Sequence, residues 1–207
     1  MRNFIFDVDR TLVDSYSIEK ESLKKALFKV TKKSYDENIM DKLSILSTKE
    51  FFRLINIDIN SDTMKDINLY WDKYLNESTI NLFLGIEKEL TNLKNNKCFL
   101  GIVTSRTYDE LCELSEFTKI KNLFDVIITS DIVSNPKPDP ESLLKIINDF
   151  SLEKNETVYI GDSNLDSIAS KRANIKFAYA SYENKNSTEE YDYILNNVSD
   201  ISSLLDK

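Results

Sequence analysis

Short apolar runs separated by helical patterns are the feature that most constrains the fold of this chain. Five runs have the length and β-branched content of strands that are buried on both faces, as in parallel sheets. They lie at residues 3–8, 98–103, 123–128, 157–160 and 175–180. Helical repeats follow the later runs, most clearly at Leu143, Ile146 and Ile147. This alternation predicts an α/β fold, a doubly wound parallel sheet with right-handed crossovers, and residues 193–195 are predicted as an additional edge strand.

The stretch from residue 14 to residue 82 interrupts this alternation directly after the first predicted strand. Its apolar residues recur at helical spacing, which is typical of helices that bury one face. They include Leu23, Ala26, Leu27 and Val30, and then Ile67, Tyr70, Trp71 and Tyr74. Ile55, Ile57 and Ile59 alternate with period two, but we interpret this segment as a loop between helices. The sequence therefore predicts a helical domain of residues 14–82 inserted into a Rossmann-like core of residues 1–13 and 83–207.

Composition narrows the chemistry that this chain can perform. The 207 residues include no histidine, which excludes Ser-His-Asp and Cys-His catalysis and the commonest ligand of catalytic zinc. The net charge of -8 opposes binding to nucleic acid, and the N-terminal apolar run is interrupted by Asp7 too early for a signal peptide or a membrane span. Cys98 and Cys112 lack metal-ligand spacing, and we interpret them as reduced core residues. We expect a cytoplasmic protein without nucleic-acid or membrane partners, and the sequence does not indicate its oligomeric state.

Polar residues follow the predicted strands at the points where those strands end. These residues are Asp7 and Asp9 after the first run, Thr104 after the second, Lys137 beyond the third, and Asp162 and Asp166 after the fourth. The carboxyl ends of parallel strands form the crevice in which ligands bind, so we expect these side chains to converge. Clustered carboxylates repel one another unless a cation neutralises them, and an all-oxygen cluster suits Mg²⁺. The sequence therefore predicts a magnesium site, with Lys137 as a second positive charge beside an incoming phosphate.

The same residues stand in four ordered motifs that resemble those of the haloacid dehalogenase-like hydrolases. The motifs are DVDRT at residues 7–11, IVTSR at 102–106, NPKPDP at 135–140 and GDSNLD at 161–166. The inserted helical region resembles the cap of the phosphoglycolate phosphatase and β-phosphoglucomutase branch. This resemblance implies a magnesium-dependent phosphatase that acts on a small phosphorylated metabolite.

The resemblance also implies a two-step reaction and the residues that perform it. Asp7 is the nucleophile that becomes an aspartyl phosphate, and Asp9 is the general acid and base. Lys137 holds Asp7 and the phosphate in line, and Thr104 and Ser105 bind the phosphate with it. The implied metal ligands are Asp7, Asp9 (through its backbone carbonyl) and Asp162, supported by Asp166. An acid at Asp9 favours phosphate chemistry over dehalogenation, because a halide leaving group needs no proton.

Arg10 and Asn174 are among the positions that depart from the usual pattern, and two other functions stay open. Arg10 stands where the family usually has glycine, so it is strained if this position requires a positive φ and harmless if the backbone is helical. Asn174 also replaces a frequent glycine, but asparagine tolerates the left-handed conformation that ends helices. The motifs do not separate a phosphatase from a phosphomutase that returns the phosphate to a sugar. A catalytically silent relative that binds a metabolite or a protein is the third alternative.

Overall fold

The fold consists of two units in a computed structural model that describes residues 1–44, 48–182 and 190–207. One unit comprises Met1–Asp14 and Asn81–Lys207, and the other comprises Ser15–Ile80. The first is an α/β unit and the second is helical.

A parallel sheet forms the centre of the α/β unit. Within the described residues its six strands are β1 (Asn3–Phe6), β2 (Phe99–Val103), β3 (Val126–Ile128), β4 (Thr157–Gly161), β5 (Lys176–Ala180) and β6 (Tyr193–Leu195). Their order in the sheet is β3-β2-β1-β4-β5-β6, and every neighbouring pair is parallel. The predicted α/β class, the five predicted strands and the predicted edge strand are thus confirmed.

Helices accompany the strands as the sequence pattern requires. In the α/β unit they are α5 (Ile86–Asn95), α6 (Tyr108–Glu113), α7 (Glu141–Asp149) and α8 (Asn164–Ala173), numbered after the helices of the helical unit, which precede them in the chain. Leu143 and Ile146 of α7 are fully buried against the sheet residues Ile5 and Tyr159. All four residues of β1 are buried, because this strand lies between β2 and β4. The centre of the sheet is therefore its best-packed part.

The helical unit has its own apolar core. Its helices are α1 (Ser15–Thr31), α2 (Glu37–Met40), α3 (Thr48–Leu54) and α4 (Asp62–Asn76). Leu23 and Leu27 of α1 are fully buried with Phe51 and Ile67. The Trp71 indole packs against this core and its Nε1 donates a hydrogen bond to the Glu19 carbonyl at 3.1 Å. Residues 55–59 form turns and loop between α3 and α4, as predicted.

Three local details correct or complete the sequence analysis. Cys98 is buried as predicted, but Cys112 is exposed, so the prediction that Cys112 is a core residue is wrong. Cys112 lies on α6, a short helix that buries only Leu111. Asn174 ends α8 with φ 57°. Arg10 has φ 56°, so this position does require the left-handed region, which costs a non-glycine residue roughly 1–2 kcal/mol.

None of the helices in the described ranges has the length and apolar character needed to span a bilayer.

The core of the helical unit generates a prediction about stability. Leu27→Ala removes a fully buried side chain and is expected to lower the free energy of unfolding by about 2–5 kcal/mol. Phe28→Ala, its neighbour on α1, is the matched control because Phe28 is 55% exposed, and its effect is expected to be within about 0.5 kcal/mol. Urea denaturation followed by circular dichroism measures both, and equal losses would contradict the packing described.

Candidate active site

Asp7 is held at the carboxyl end of β1 by the sheet itself. Its amide donates to the Ile160 carbonyl of β4 at 2.9 Å, which continues the ladder one residue beyond β1. The chain then turns tightly, because the amide of Leu12 donates to the Val8 carbonyl at 2.8 Å. The carboxylate of Asp7 is therefore buried at the sheet edge on which the other predicted residues converge.

Lys137 lies in this site with its ammonium enclosed by three oxygens. Its Nζ donates to Asp7 Oδ1 at 2.8 Å, to Asp166 Oδ1 at 2.8 Å and to the Tyr159 hydroxyl at 3.1 Å. An ammonium has three N–H donors, so all three are used. Burial works to lower the pKa of Lys137, but the charges and hydrogen bonds of Asp7 and Asp166 outweigh it and raise that pKa above its ordinary value. The side chain is therefore a permanently charged bridge between two carboxylates.

Asp166 has no acceptor position left for another partner. Its Oδ1 accepts from Lys137 and from the Tyr159 hydroxyl at 2.9 Å, and its Oδ2 accepts from the Ser163 amide at 3.1 Å and the Ser163 hydroxyl at 2.5 Å. Two carboxylate oxygens offer about four acceptor sites, so this set is complete. Ser163 and Asp166 also form the capping box that begins α8. Asp166 therefore orients Lys137 and the helix end, and a direct bond to a metal would require it to give up one of these contacts.

Gly161 permits the close approach of Asp166 to β4. A Cβ at this position would lie 2.6 Å from Cγ and Oδ2 of Asp166, closer than any ordinary non-bonded contact. The absence of a side chain at the first residue of the GDSNLD motif thus has a steric cause, which the sequence alone did not reveal.

Three carboxylates form a potential cation site beside Lys137. Asp7, Asp162 and Asp166 each bring one oxygen within 4.8 Å of the others. Burial raises the pKa of Asp7 to about 7, with Lys137 opposing and Asp166 and Asp9 adding to the rise. Burial and the charges of Asp7 and Asp166 raise the pKa of Asp162 well above its usual range, against the opposing charge of Arg10. A hard cation would relieve this repulsion, and the all-oxygen donor set fits Mg²⁺ held by Asp7 and Asp162.

Asp9 lies outside this cluster and is bound to an arginine. Both of its carboxylate oxygens accept from Arg106, Oδ2 from Nε at 2.8 Å and Oδ1 from Nη2 at 2.7 Å. Arg106 is the last residue of the IVTSR motif, but it is not among the site residues predicted from the sequence. The available signal was the position of this cationic residue two places after Thr104. β1 and β2 are parallel neighbours, so the residues that follow them lie close together.

The remaining predicted residues lie at the end of β2. Thr104 is buried, and its amide donates to the Ile128 carbonyl of β3 at 3.1 Å, while Ser105 is exposed. Tyr159 was also missed, because a tyrosine in an apolar run looks like an ordinary core residue. Its position two residues before Gly161 on β4 brings its hydroxyl to both Lys137 and Asp166.

Comparison with known proteins identifies the family. A sequence profile of the haloacid dehalogenase-like hydrolases matches residues 4–180, which is most of the chain. The chain belongs to this family. As a member it is a hydrolase, and the predicted family resemblance, which was based on the four motifs, is confirmed.

Individual relatives of this hydrolase agree with that assignment. Pyrophosphatase PpaX of Oceanobacillus iheyensis is 26% identical over 215 residues, covering 99% of this chain and 97% of the relative. A solved HAD-superfamily hydrolase of subfamily IA from Geobacter sulfurreducens is 22% identical with a TM-score of 0.76, covering 99% of this chain and 96% of that one. CbbY from Rhodobacter sphaeroides, solved in complex with phosphate, is 18% identical with a TM-score of 0.68, covering 100% of both chains. The two structures show that the fold is shared.

The repulsion within the acidic cluster generates a prediction about stability and pH. The folded-state pKa of Asp162 lies above its usual value, so ionisation of Asp162 destabilises the metal-free fold, and this loss grows as pH rises from about 4. Asp162→Asn is therefore expected to raise the melting temperature in chelator at pH 8, with each kcal/mol worth roughly 2–4 °C. The same variant should lose most of the stabilisation that Mg²⁺ gives the wild type.

Thermal unfolding with EDTA and with Mg²⁺, from pH 5 to pH 8, measures both effects. Asp66→Asn is the control, because Asp66 is exposed on α4 and should follow the wild type. A melting temperature of Asp162→Asn that is below that of the wild type in EDTA, or an equal response to Mg²⁺, would contradict the cation site.

Proposed function

We propose that this hydrolase is a magnesium-dependent phosphatase that cleaves a small phosphorylated metabolite through an aspartyl phosphate on Asp7. The observation that supports it most is the Lys137 ammonium bound to the Asp7 carboxylate beside Asp162 and Asp166. A carboxylate among other carboxylates would repel a phosphate, whereas one beside a buried cation can approach phosphorus. Mg²⁺ bound by Asp7, Asp162 and the Asp9 carbonyl would supply further positive charge for the phosphoryl oxygens.

In the first half-reaction, Asp7 forms a bond to phosphorus while the bond from phosphorus to the leaving oxygen breaks. Asp9 gives a proton to that oxygen. In the second half-reaction, water attacks phosphorus, Asp9 takes the proton of the water, and the bond from phosphorus to Asp7 breaks. The products are the dephosphorylated compound and inorganic phosphate.

The other residues act by position and charge. Thr104 and the backbone amide of Ser105 are proposed to donate to the phosphoryl oxygens, on which charge is spread in the transition state. Lys137 keeps Asp7 oriented. Because its three donors are already engaged, a bond from Lys137 to the phosphate requires an exchange. The contact with the neutral Tyr159 hydroxyl is the longest of the three and the easiest to give up.

The comparisons suggest which substrates to test first. The relatives named above include a pyrophosphatase and a protein solved with phosphate. We therefore propose pyrophosphate as one leading substrate, and phosphoglycolate as the other because the inserted helical region resembles the cap of the phosphoglycolate phosphatase branch, with glucose 1-phosphate as the probe for a phosphomutase. Conversion of glucose 1-phosphate to glucose 6-phosphate, primed by a sugar bisphosphate that phosphorylates Asp7 and without release of phosphate, would favour the mutase.

The proposed nucleophile generates a prediction about activity. Asp7→Asn keeps the volume of the side chain but cannot form the acyl phosphate, and it is expected to lower kcat at least about 10³-fold. The measurement is phosphate release from pyrophosphate and phosphoglycolate, with Mg²⁺ and with EDTA. Asp109→Asn is the control, because Asp109 is exposed in the first turn of α6.

Three results would contradict the proposal. These are turnover by Asp7→Asn at the wild-type rate, turnover in EDTA at the rate with Mg²⁺, and binding of phosphorylated compounds by the wild type without turnover. The last result would favour the catalytically silent alternative.

A further inference from the structure

The ion pair between Asp9 and Arg106 conflicts with the role proposed for Asp9. A carboxyl group acts as a general acid through an oxygen that carries a proton and faces the leaving oxygen. Both oxygens of Asp9 instead accept hydrogen bonds from the planar guanidinium, at 2.8 and 2.7 Å. This two-point arrangement is the strongest geometry available to an arginine and a carboxylate. Asp9 is therefore withheld from proton transfer as long as Arg106 holds it.

The backbone of Arg106 is fixed, so the guanidinium can move away from Asp9 only by a change in its side-chain conformation. The Arg106 amide donates to Thr104 Oγ1 at 3.2 Å, and its carbonyl accepts from the Ser130 amide at 3.0 Å. These bonds tie Arg106 to the ends of β2 and β3. The side chain is 23% exposed and that of Asp9 is 32% exposed. A ligand that enters the site can therefore reach the guanidinium.

This pair is more open to solvent than the packed site around Lys137. Solvent reaches and screens both side chains, which weakens their attraction despite the two-point geometry. Lys137, by contrast, is 5% exposed and bridges two buried carboxylates. The two cations thus differ: Lys137 is part of the packed site, and Arg106 is a replaceable partner of the proposed acid.

Only an anion with suitable geometry competes with Asp9 for Arg106. Phosphate and carboxylate groups match the guanidinium at two points, as Asp9 does. A neutral hydroxyl or alkyl group offers no charge and forms at most a single weak bond. The transferring phosphoryl group is proposed to bind Mg²⁺, Thr104 and the Ser105 amide, so a second anionic group on the leaving group is the one that remains for Arg106. The presence of that second group therefore decides whether Arg106 changes partner.

We propose that Arg106 is a positioning residue that holds Asp9 inactive until the leaving group presents a second anionic group to the guanidinium. This inference rests on the proposed phosphatase function and adds the substrate class: phosphoryl compounds whose leaving group carries a phosphate or carboxylate close to the bridging oxygen. No covalent bond changes in the exchange. The two N–H donors of Arg106 move from Asp9 to the oxygens of the leaving group, and an oxygen of Asp9 becomes available for the leaving oxygen.

The test compares two alkyl phosphates that differ in the second anionic group. Phosphoglycolate carries a carboxylate, and ethyl phosphate does not. The wild type is expected to prefer phosphoglycolate in kcat/KM. Arg106→Ala is expected to lower kcat/KM for phosphoglycolate about 10–100-fold, and to leave kcat for ethyl phosphate unchanged or raise it, because Asp9 no longer has to be released. Arg106→Lys keeps the charge but loses the two-point geometry. Its kcat/KM for phosphoglycolate should lie between those of the wild type and of Arg106→Ala.

An unchanged or raised kcat of Arg106→Ala for ethyl phosphate distinguishes a positioning role of Arg106 from a structural one. Arg2→Ala is the control, because Arg2 is exposed before the amino end of β1, and it should match the wild type on both substrates. Equal losses on both substrates in Arg106→Ala, or no loss on either, would overturn the inference while phosphatase activity stands. If the wild type hydrolyses neither substrate nor pyrophosphate with Mg²⁺, the proposed function fails and the inference fails with it.

Discussion

The buried ammonium of Lys137 is the interaction on which the site depends. Without it, Asp7 and Asp166 would face each other as charged groups in a desolvated crevice, which is strongly unfavourable. With it, one carboxylate is fixed at the end of β1 and the other at the start of α8. The Tyr159 hydroxyl completes the arrangement from β4. Lys137, which lies nine residues after the end of β3, therefore links the carboxylates that follow β1 and β4.

The parallel sheet explains why these groups meet. β1 lies between β2 and β4, so the residues that follow these three strands reach a common edge. Gly161 allows Asp166 to approach that edge, while the left-handed backbone at Arg10 turns the chain away after Asp9. The cluster remains short of positive charge, as the raised pKa values of Asp7 and Asp162 indicate. The cation and the phosphate of the proposed function would relieve this repulsion if they bind there.

Much of the fold could be predicted from the sequence, because strand and helix periodicity report directly which faces are buried. The convergence of Asp7, Lys137 and Asp166 also followed from their positions after strands. Tyr159 could not be identified in this way, and the position of Arg106 after Thr104 indicates that it lies at a strand end but not which group it binds. Their roles depend on where long side chains end, and neither periodicity nor spacing carries that information. The prediction that Cys112 is a core residue was wrong for a related reason, because a helix as short as α6 has too few residues to show which side is buried.

The most direct test of the account is the site of covalent phosphorylation. Acid quench within the first turnover, followed by peptide mass spectrometry, should find one phosphoryl group on the peptide that contains Asp7. The group should be absent from Asp7→Asn and should accumulate more slowly in Lys137→Met, which lacks the ammonium. A phosphoryl group on another residue, or turnover without any covalent intermediate, would contradict the central role given to Asp7 and Lys137.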